Sequence, residues 1–283
     1  MSNFSILLPA FNAQKTIKQC INSIIRQSYT DWDLFLINDG STDSTGIIID
    51  SFNDKRIKKF HVKKNLGLVN TLNYGISNIK SRFIFRMDAD DVMLPDRIKK
   101  QISHIKKDKT GIYSGSMVIN NKVQNLPDYN NKQIYQLLTF NNPIIHPTVL
   151  IDRNFCKDLR YNNLTCEDYD LWCQLATRGV KFKITKEPLI EYKVSKFQKS
   201  VIEKNQILVD AQKIADKYTL QNFPDQYLQL KEVGFTHAKN IKITTIIQNL
   251  LKNTYKPLWQ DNIINEKYVK RLISSLAKNA FRL

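Results

Sequence analysis

The amino-acid sequence predicts an α/β fold, with a mainly parallel sheet, helices on both faces and a helical C-terminal region. Short apolar segments alternate with segments whose apolar residues have helical spacing. Turn residues follow several of the apolar segments. The chain has 283 residues, of which 42% are hydrophobic, and this is enough to bury one large core.

The first 110 residues contain four predicted pairs of a strand and a helix. Ile17, Ile21 and Ile24 mark one face of the first helix. The turn residues Asn38–Gly40 end the second strand, and Pro95 suits the first turn of the fourth helix. This alternation is typical of a parallel sheet. The predicted strands are 4–8, 33–37, 56–62 and 82–87, and the predicted helices are 15–26, 47–52, 66–79 and 95–107.

Beyond Gly111 the pattern is more mixed. Asn120 and Asn121 favour a hairpin turn after a strand at 112–119, and Gly179 suits the end of a helix. The other predicted elements are strands at 148–151, 180–184 and 189–194, and a helix at 167–178.

From about Lys199 the sequence is helical and basic, which suggests a division of the chain. We predict an α/β domain over residues 1–195, with halves 1–110 and 111–195, followed by a helical region over 196–283.

The net charge of +17 is spread unevenly. Residues 196–283 carry +8 and the first 195 residues carry +9, so the C-terminal region is about twice as basic per residue. This favours a polyanionic partner such as nucleic acid, an anionic membrane surface or a phosphate-rich substrate. A solvated lysine-rich surface is an equally simple explanation.

The sequence indicates a cytoplasmic protein. Residues 1–8 have no basic n-region or long apolar run, and no segment is apolar enough to span a bilayer, so we expect neither a signal peptide nor a transmembrane helix. The four cysteines lack the spacing of a zinc site and are expected to be buried thiols in a reducing compartment.

Three acidic residues follow the fourth predicted strand. Asp88 and Asp90 project to the same side of an extended backbone, and Asp91 follows directly. Such carboxylates repel one another unless a cation relieves them, and Mg²⁺ or Mn²⁺ prefers carboxylate and phosphate oxygens. The alternative is an acidic turn that caps the helix near Pro95, although Asp96 suffices for that.

Glu167 and Asp168 stand at the predicted start of a helix. The helix dipole favours an ionised carboxylate there, so either residue is a candidate general base. Asp170 lies two positions further on and faces elsewhere. Simple capping of the helix is the alternative.

Five segments, in this order, resemble motifs of family 2 glycosyltransferases of the GT-A fold, which has a Rossmann-like sheet. Each segment alone is weakly or moderately specific, but five in order at the expected spacing form a strong signal. The resemblance extends from about residue 3 to residue 195 and rests on Ile6–Asn12, Ile37–Asp43, Asn65–Leu68, Met87–Asp91 and Glu167–Trp172.

The resemblance implies an inverting hexosyltransferase that moves one sugar from a UDP-sugar to a hydroxyl group. It implies a glycan or lipid-linked saccharide as the acceptor, in surface polysaccharide or lipopolysaccharide biosynthesis. Residues 1–110 would bind the nucleotide sugar, and residues 111–195 would form the acceptor side. By position, Pro9, Phe11 and Asp39 would hold uracil and ribose, Asn65 would lie beside the nucleotide, and Asp88 would reach the ribose or the sugar.

The resemblance also assigns a metal and a base. Asp90 would ligate a divalent cation, Mn²⁺ or Mg²⁺, with Asp91 as the rival ligand. Asp168 would take the proton from the acceptor hydroxyl. The chain departs from many relatives further on, where Ser195 stands in place of a histidine that can complete the metal shell. His146 is a substitute candidate, although a structural loop histidine is the simpler interpretation.

Other classes of protein fit the sequence less well. A processive polymer synthase usually has transmembrane helices. A sugar-nucleotidyltransferase would need a glycine-rich basic loop where Pro9–Asn12 stands. A non-enzymatic polyanion-binding protein would explain the net charge, but the acids at 88–91 would repel nucleic acid, so no nucleic-acid partner is expected.

The C-terminal region suggests a peripheral association with the inner face of the cytoplasmic membrane. An apolar stripe flanked by basic residues suits an interfacial helix. Packing of the stripe on the catalytic domain or on a second subunit is the alternative. The stripe comprises Tyr268, Val269, Leu272, Ile273, Leu276 and Phe281, and the basic residues are Lys267, Lys270, Arg271, Lys278 and Arg282.

Overall fold

The computed structural model describes residues 2–105, 109–124, 128–193, 204–225 and 227–228. In this part of the chain nine strands form a single sheet, and helices cover both of its faces. The strands are β1 (Phe4–Ala10), β2 (Asp33–Asn38), β3 (Ile57–His61), β4 (Phe83–Arg86), β5 (Val92–Met93), β6 (Ile112–Ile119), β7 (Lys122–Val123), β8 (Leu150–Asp152) and β9 (Phe182–Glu191). The helices are α1 (Ile17–Ile25), α2 (Thr45–Asp50), α3 (Leu68–Asn78), α4 (Arg97–Ile105), α5 (Asn131–Leu137), α6 (Glu167–Thr177) and α7 (Lys204–Asn222), with a 3₁₀ turn at His146–Thr148.

The first half of the sheet is parallel and the second half is mixed. The strand order is β3-β2-β1-β4-β8-β6-β9-β5, and β7 pairs with β6. β1 lies between β2 and β4 and runs parallel to both, with Leu7 opposite Phe35 on one side and Arg86 on the other. β8 runs antiparallel to both β4 and β6, and β9 runs parallel to β6. The predicted α/β class with a mainly parallel sheet is confirmed, and the carboxyl ends of β1, β2 and β4 share one edge.

Alternating side chains of β1 supply two cores, one on each face of the sheet. Ile6 and Leu8 pack with apolar residues of α1, α2 and α4. Leu7 packs in the other core, which contains residues of α3, α5, α6 and α7. The helices therefore cover both faces, as the sequence predicts. The four cysteines are buried free thiols.

Two turn predictions are confirmed by the backbone. Asn120 and Asn121 both have positive φ, at 49° and 60°, and connect β6 to β7 in a hairpin. Gly179 has φ of 77° just after α6. This left-handed conformation suits glycine because it has no Cβ.

The strand predicted at 148–151 begins later, because Pro147 lies in the 3₁₀ turn and β8 starts only at Leu150. The two strands predicted at 180–184 and 189–194 are one strand, β9. Pro188 lies inside β9, beside a register irregularity opposite Ser116. Proline cannot donate a hydrogen bond to a neighbouring strand, and a bulge tolerates it.

The last helix of the described residues, α7, packs against α6. The hydroxyl of Thr165 donates a hydrogen bond to Asp210 of α7, and Ile214 and Tyr218 are buried in the core that contains α6. The apolar stripe at 268–281 lies outside the described residues. Among the described residues, we find no helix with the length and apolar character needed to cross a bilayer.

Candidate active site

The loops after β1 and β2 are tied together at the carboxyl edge of the sheet. Asn12 has a positive φ of 47°, its amide donates to the hydroxyl of Ser41 at 3.0 Å, and its Oδ1 accepts from the Thr42 amide at 2.9 Å. Pro9 is buried within β1, whereas Phe11 remains 48% exposed. Phe11 therefore lies on a loop held by these hydrogen bonds and remains accessible to a ligand.

Asp39 organises a third segment at the same edge. Its carboxylate accepts hydrogen bonds from the amides of Leu66 at 2.8 Å and Gly67 at 3.1 Å. This brings Asn65, which is exposed, next to the β2 loop. Each carboxylate oxygen has a second lone pair, so Asp39 retains acceptor capacity while it holds this segment. The sequence did not indicate this anchoring role.

Gly40 makes the close approach of the two segments possible. It has φ of +66°, and a Cβ atom at this position would lie 2.5 Å from the backbone nitrogen of Asn65 and 2.6 Å from the carbonyl carbon of Lys64. Only glycine fits both the conformation and the space.

The acidic residues Asp88, Asp90 and Asp91 converge at the end of β4. One potential ligand atom from each lies within 4.8 Å of those of the other two. Asp91 is buried; its Oδ1 accepts from the Lys193 amide at 3.3 Å, and its Oδ2 has no hydrogen-bond partner in the described structure. Burial, with the charges of Asp88 and Asp90, raises the pKa of Asp91 to about 8. Three converging oxygen donors, one of them buried and unsatisfied, fit a hard divalent cation.

Two buried arginines lie behind this cluster. Arg86, the last residue of β4, forms an ion pair with Asp88. Arg97 donates to the carbonyl oxygen of Arg86 at 2.9 Å and to Gln101 at 3.0 Å. Burial and the nearby Arg86 lower the pKa of Arg97 to about 9. The sequence did not indicate a role for either arginine. An arginine next to an apolar strand or within a helix is usually a surface residue, and no local pattern shows that these two are buried.

Asp168 lies in the first turn of α6, and both of its carboxylate oxygens are hydrogen-bonded. Oδ1 accepts from the Tyr169 amide at 2.8 Å, and Oδ2 accepts from Nδ2 of Asn142 at 2.8 Å. Burial and the neighbouring Glu167 raise the pKa of Asp168 to about 6. The N-cap residue of α6 is Cys166, so Asp168 is not the capping residue. At neutral pH this carboxylate is mostly ionised and able to accept a proton.

The neighbouring acids are placed differently. Glu167 is 6% exposed, which leaves little of it accessible to a ligand. Asp170 accepts hydrogen bonds from Asn162 at 2.8 Å and Gln174 at 2.6 Å, so its carboxylate serves the helix rather than the site.

His146 has a structural environment. Its Nε2 is 2.8 Å from the hydroxyl of Tyr161, and its ring packs edge-to-face on Trp172. Burial and the charge of Arg86 keep its pKa well below the usual range. Its ring nitrogens are not among the atoms that converge in the acidic cluster. Ser195 lies outside the described residues, and Lys193 meets Asp91 through its backbone amide and Gln19 through its ammonium group.

An α/β sheet with polar and acidic groups at the carboxyl edge of its strands is typical of a ligand-binding enzyme, and comparisons with known proteins identify the family. Residues 5–158 match the model of the family described as glycosyl transferase family 2. An uncharacterised glycosyltransferase of Haemophilus influenzae is 30% identical over 74% of this chain and 71% of its own length. The chain belongs to glycosyl transferase family 2 and is a glycosyltransferase.

Two relatives have more specific names. A protein of Escherichia coli named UDP-Glc:alpha-D-GlcNAc-diphosphoundecaprenol beta-1,3-glucosyltransferase WfgD is 30% identical over 60% of this chain and 68% of its own length. The amylovoran biosynthesis glycosyltransferase AmsE of Erwinia amylovora is 29% identical over 62% of this chain and 70% of its own length.

Solved structures show the same fold. TarS of Staphylococcus aureus, residues 1–349 in complex with UDP, aligns with a TM-score of 0.63 at 16% identity, covering 100% of this chain and 91% of that structure. A mannosyltransferase of Pyrobaculum calidifontis in complex with GDP-Man and Mn²⁺ aligns with a TM-score of 0.59 at 14% identity, covering 99% of this chain and 88% of that structure.

Proposed function

We propose that this glycosyltransferase transfers a single sugar from a UDP-sugar to a hydroxyl of a glycan or glycolipid, with inversion of the anomeric configuration, in surface polysaccharide or lipopolysaccharide biosynthesis. The observation that carries the proposal is an electrostatic link between two acidic groups that come from distant parts of the chain. The charge of one buried cation, Arg86, acts on both the Asp88–Asp91 cluster and Asp168.

The donor would occupy the carboxyl edge of β1, β2 and β4. In this proposal Pro9, Phe11 and Asp39 hold uracil and ribose, Asn65 lies beside the nucleotide, and Asp88 reaches the ribose or the sugar. The exposure of Phe11 supports this placement because an exposed aromatic ring can stack on a base. A bound UDP or UDP-GlcNAc in the TarS structures supports UDP as the nucleotide.

Asp90 and Asp91 would hold the divalent cation, Mn²⁺ or Mg²⁺. When bound, this ion neutralises the charge that develops on the departing diphosphate. The buried, unsatisfied Oδ2 of Asp91 supports Asp91 as a ligand beside Asp90. The Mn²⁺ in the mannosyltransferase structure supports the choice of ion.

Asp168 would be the general base. It takes the proton from the acceptor hydroxyl while that oxygen forms a bond to the anomeric carbon. The bond between the anomeric carbon and the diphosphate oxygen breaks on the opposite face, and UDP leaves with the electron pair. Asp168 is partly exposed, whereas Glu167 is buried, and this difference supports Asp168 as the base.

The names of two relatives support this class of acceptor. The WfgD name specifies a diphosphoundecaprenol-linked sugar as the acceptor, and the AmsE name specifies amylovoran biosynthesis. A lipid-linked acceptor would be met at the cytoplasmic face of the membrane. We therefore propose a catalytic domain at 1–195 and peripheral membrane docking through the basic region at 196–283.

A donor screen tests the central proposal. UDP release is measured with Mn²⁺ and a diphosphate-lipid-linked GlcNAc acceptor, across UDP-Glc, UDP-Gal, UDP-GlcNAc and UDP-GalNAc, with GDP-Man as the contrasting nucleotide. We expect acceptor-dependent release from one UDP-sugar, an inverted linkage in the product by NMR, and acceptor-dependent release at least about a hundredfold lower in the Asp168→Asn variant. Transfer from GDP-Man alone, or a retained configuration, would contradict the proposal.

Membrane docking has its own test. Flotation with anionic vesicles should be salt-sensitive and should disappear when residues 262–283 are deleted, because each basic side chain near such a surface contributes roughly 1 kcal/mol. A deletion that instead makes the protein insoluble would indicate that the apolar stripe is part of a core.

A further inference from the structure

Asn142 connects the loop after α5 to the acidic end of α6. Its Nδ2 donates to Oδ2 of Asp168 at 2.8 Å, and its Oδ1 accepts a hydrogen bond from the Ile144 amide at 3.0 Å. A backbone amide only donates, so the bond from Ile144 fixes which end of the Asn142 side chain is the oxygen. The amino group must then point at Asp168, whatever the state of that carboxylate.

The loop that carries Asn142 is anchored without the help of Asp168. The hydroxyl of Tyr169 donates to the carbonyl oxygen of Leu138 at 2.7 Å, and the following His146 is held by Tyr161 at 2.8 Å. Asn142 is thus presented by a loop that is secured at both ends. Loss of its side chain should leave the loop in place.

The two hydrogen bonds to Asp168 restrain its carboxylate group. The Tyr169 amide occupies one lone pair on Oδ1, and Asn142 occupies one on Oδ2. With both oxygens held, the plane of the carboxylate is fixed, and each oxygen keeps a lone pair for an incoming hydroxyl. A general base works best when it is held in the reactive orientation before the substrate arrives.

The surrounding groups shift the pKa of Asp168 in opposite directions. Burial and Glu167 raise its pKa, whereas the bonds from the Tyr169 amide and Asn142 and the charge of Arg86 lower it, with a net value of about 6. The other titratable neighbours, Tyr161, Cys166 and Cys173, all have a raised pKa and are neutral near pH 7. Asn142 therefore opposes the protonation that burial favours.

We propose that Asn142 is a positioning residue of the transfer reaction, whose side-chain amide holds the Asp168 carboxylate ionised and correctly oriented to take the acceptor's proton. This inference rests on the proposed function, in which Asp168 is the general base. It adds a residue that neither the sequence motifs nor the acidic cluster indicates.

The first test measures the titration of Asp168 directly, without substrates. The carboxyl carbon of Asp168 is followed by ¹³C NMR against pH and assigned by its absence in Asp168→Asn. Asn142→Asp keeps the shape and the bond from Ile144 but replaces the donor with a second carboxyl group, so the midpoint of Asp168 should rise by about one unit or more. Asn142→Ala should also raise it.

Asn162→Ala is the matched control. Asn162 makes the same kind of bond, at 2.8 Å, to Asp170 on the same helix. This variant should leave the midpoint of Asp168 unchanged. If Asp168 titrates at the wild-type pH in both Asn142 variants, the inference is wrong.

The second test uses the transfer reaction. In Asn142→Ala the acid limb of kcat should move upward together with the NMR midpoint, while KM for the donor stays within about twofold. If kcat is lower but its acid limb stays at the wild-type pH, Asn142 has only a structural role and the inference is wrong. Absence of transfer by the wild-type enzyme with every donor would instead count against the proposed function, and the NMR result would still decide the role of Asn142.

Discussion

Arg86 and Asp88, two residues apart at the end of β4, form an ion pair in which the guanidinium is buried and the carboxylate is partly exposed. Burial raises the pKa of both Asp91 and Asp168, and the charge of Arg86 opposes that rise in each. One buried cation therefore favours the ionised form of two acids that lie far apart in the sequence.

Removal of the Asp88 charge should destabilise the fold. In Asp88→Asn the buried guanidinium of Arg86 loses its ion-pair partner, and because Asp88 is partly exposed we expect a loss of about 2 kcal/mol in the free energy of unfolding. Urea denaturation in the presence of EDTA measures it. Asp90→Asn removes a charge from the same cluster but leaves the ion pair intact, so it should change stability by less than about 0.5 kcal/mol. Equal losses in the two variants would show that the pair has no special importance.

Activity should depend on a divalent cation and on Asp90. Asp90→Ala removes one of three converging carboxylates, and transfer should fall at least about a hundredfold while the circular dichroism spectrum is unchanged. In a thermal-shift assay, Mn²⁺ with UDP should raise the melting temperature of the wild type but not of the variant. Full turnover in excess EDTA would contradict the metal assignment.

Asp168→Asn should separate binding from chemistry. Asparagine keeps the shape of the side chain but cannot accept the proton, so transfer should fall at least about a hundredfold while UDP-sugar binding by calorimetry is retained. Asp170→Asn is the control on the same helix, and it should retain transfer because Asp170 bonds to Asn162 and Gln174. If Asp168→Asn transfers sugar normally and Glu167→Gln is inactive, the general base is Glu167 instead.

The rate should have an acid limb set by Asp168. Its pKa is raised to about 6, and only the ionised form accepts a proton, so kcat should be half-maximal near pH 6 and about tenfold below its maximum near pH 5. Above pH 7 this group no longer limits the rate. A pH series with saturating donor, acceptor and Mn²⁺ measures the limb. A kcat that is constant down to pH 5 would exclude Asp168 in its present environment.

The sequence predicted the parallel half of the fold because each strand there is a short apolar run that ends in turn residues, as at Asn38–Gly40. The prediction was wrong where pairing between distant strands determined the structure. β9 continues through Pro188 because a bulge opposite Ser116 accommodates the missing donor. No local pattern reveals such a bulge.

The same distinction applies to the site. The acids at 88–91 and 167–168 stand out in the sequence because like charges cluster at element ends. Asn142 and Arg86 do not stand out in the sequence. The importance of Asn142 comes from its contact with Asp168, 26 residues away, and that of Arg86 comes from its burial in the sheet. The sequence likewise did not predict that Asp39 anchors Leu66 and Gly67, which lie 27 and 28 residues away.

Gly40→Ala should weaken UDP-sugar binding by displacing the segment that Asp39 anchors. A Cβ atom at Gly40 would lie 2.5 Å from the Asn65 nitrogen, and rigid backbone atoms cannot yield as a flexible side chain can. Gly67→Ala is the matched control, because Gly67 also has a positive φ, of 82°, but a Cβ there would meet nothing within 4 Å. Both variants incur the backbone strain of a positive φ, on the order of 1–3 kcal/mol, and only Gly40→Ala adds a backbone clash. Calorimetry with UDP and Mn²⁺ should therefore show a larger loss of affinity, by about tenfold or more, for Gly40→Ala than for Gly67→Ala. Equal affinities would mean that the 64–67 segment does not contribute to the nucleotide site.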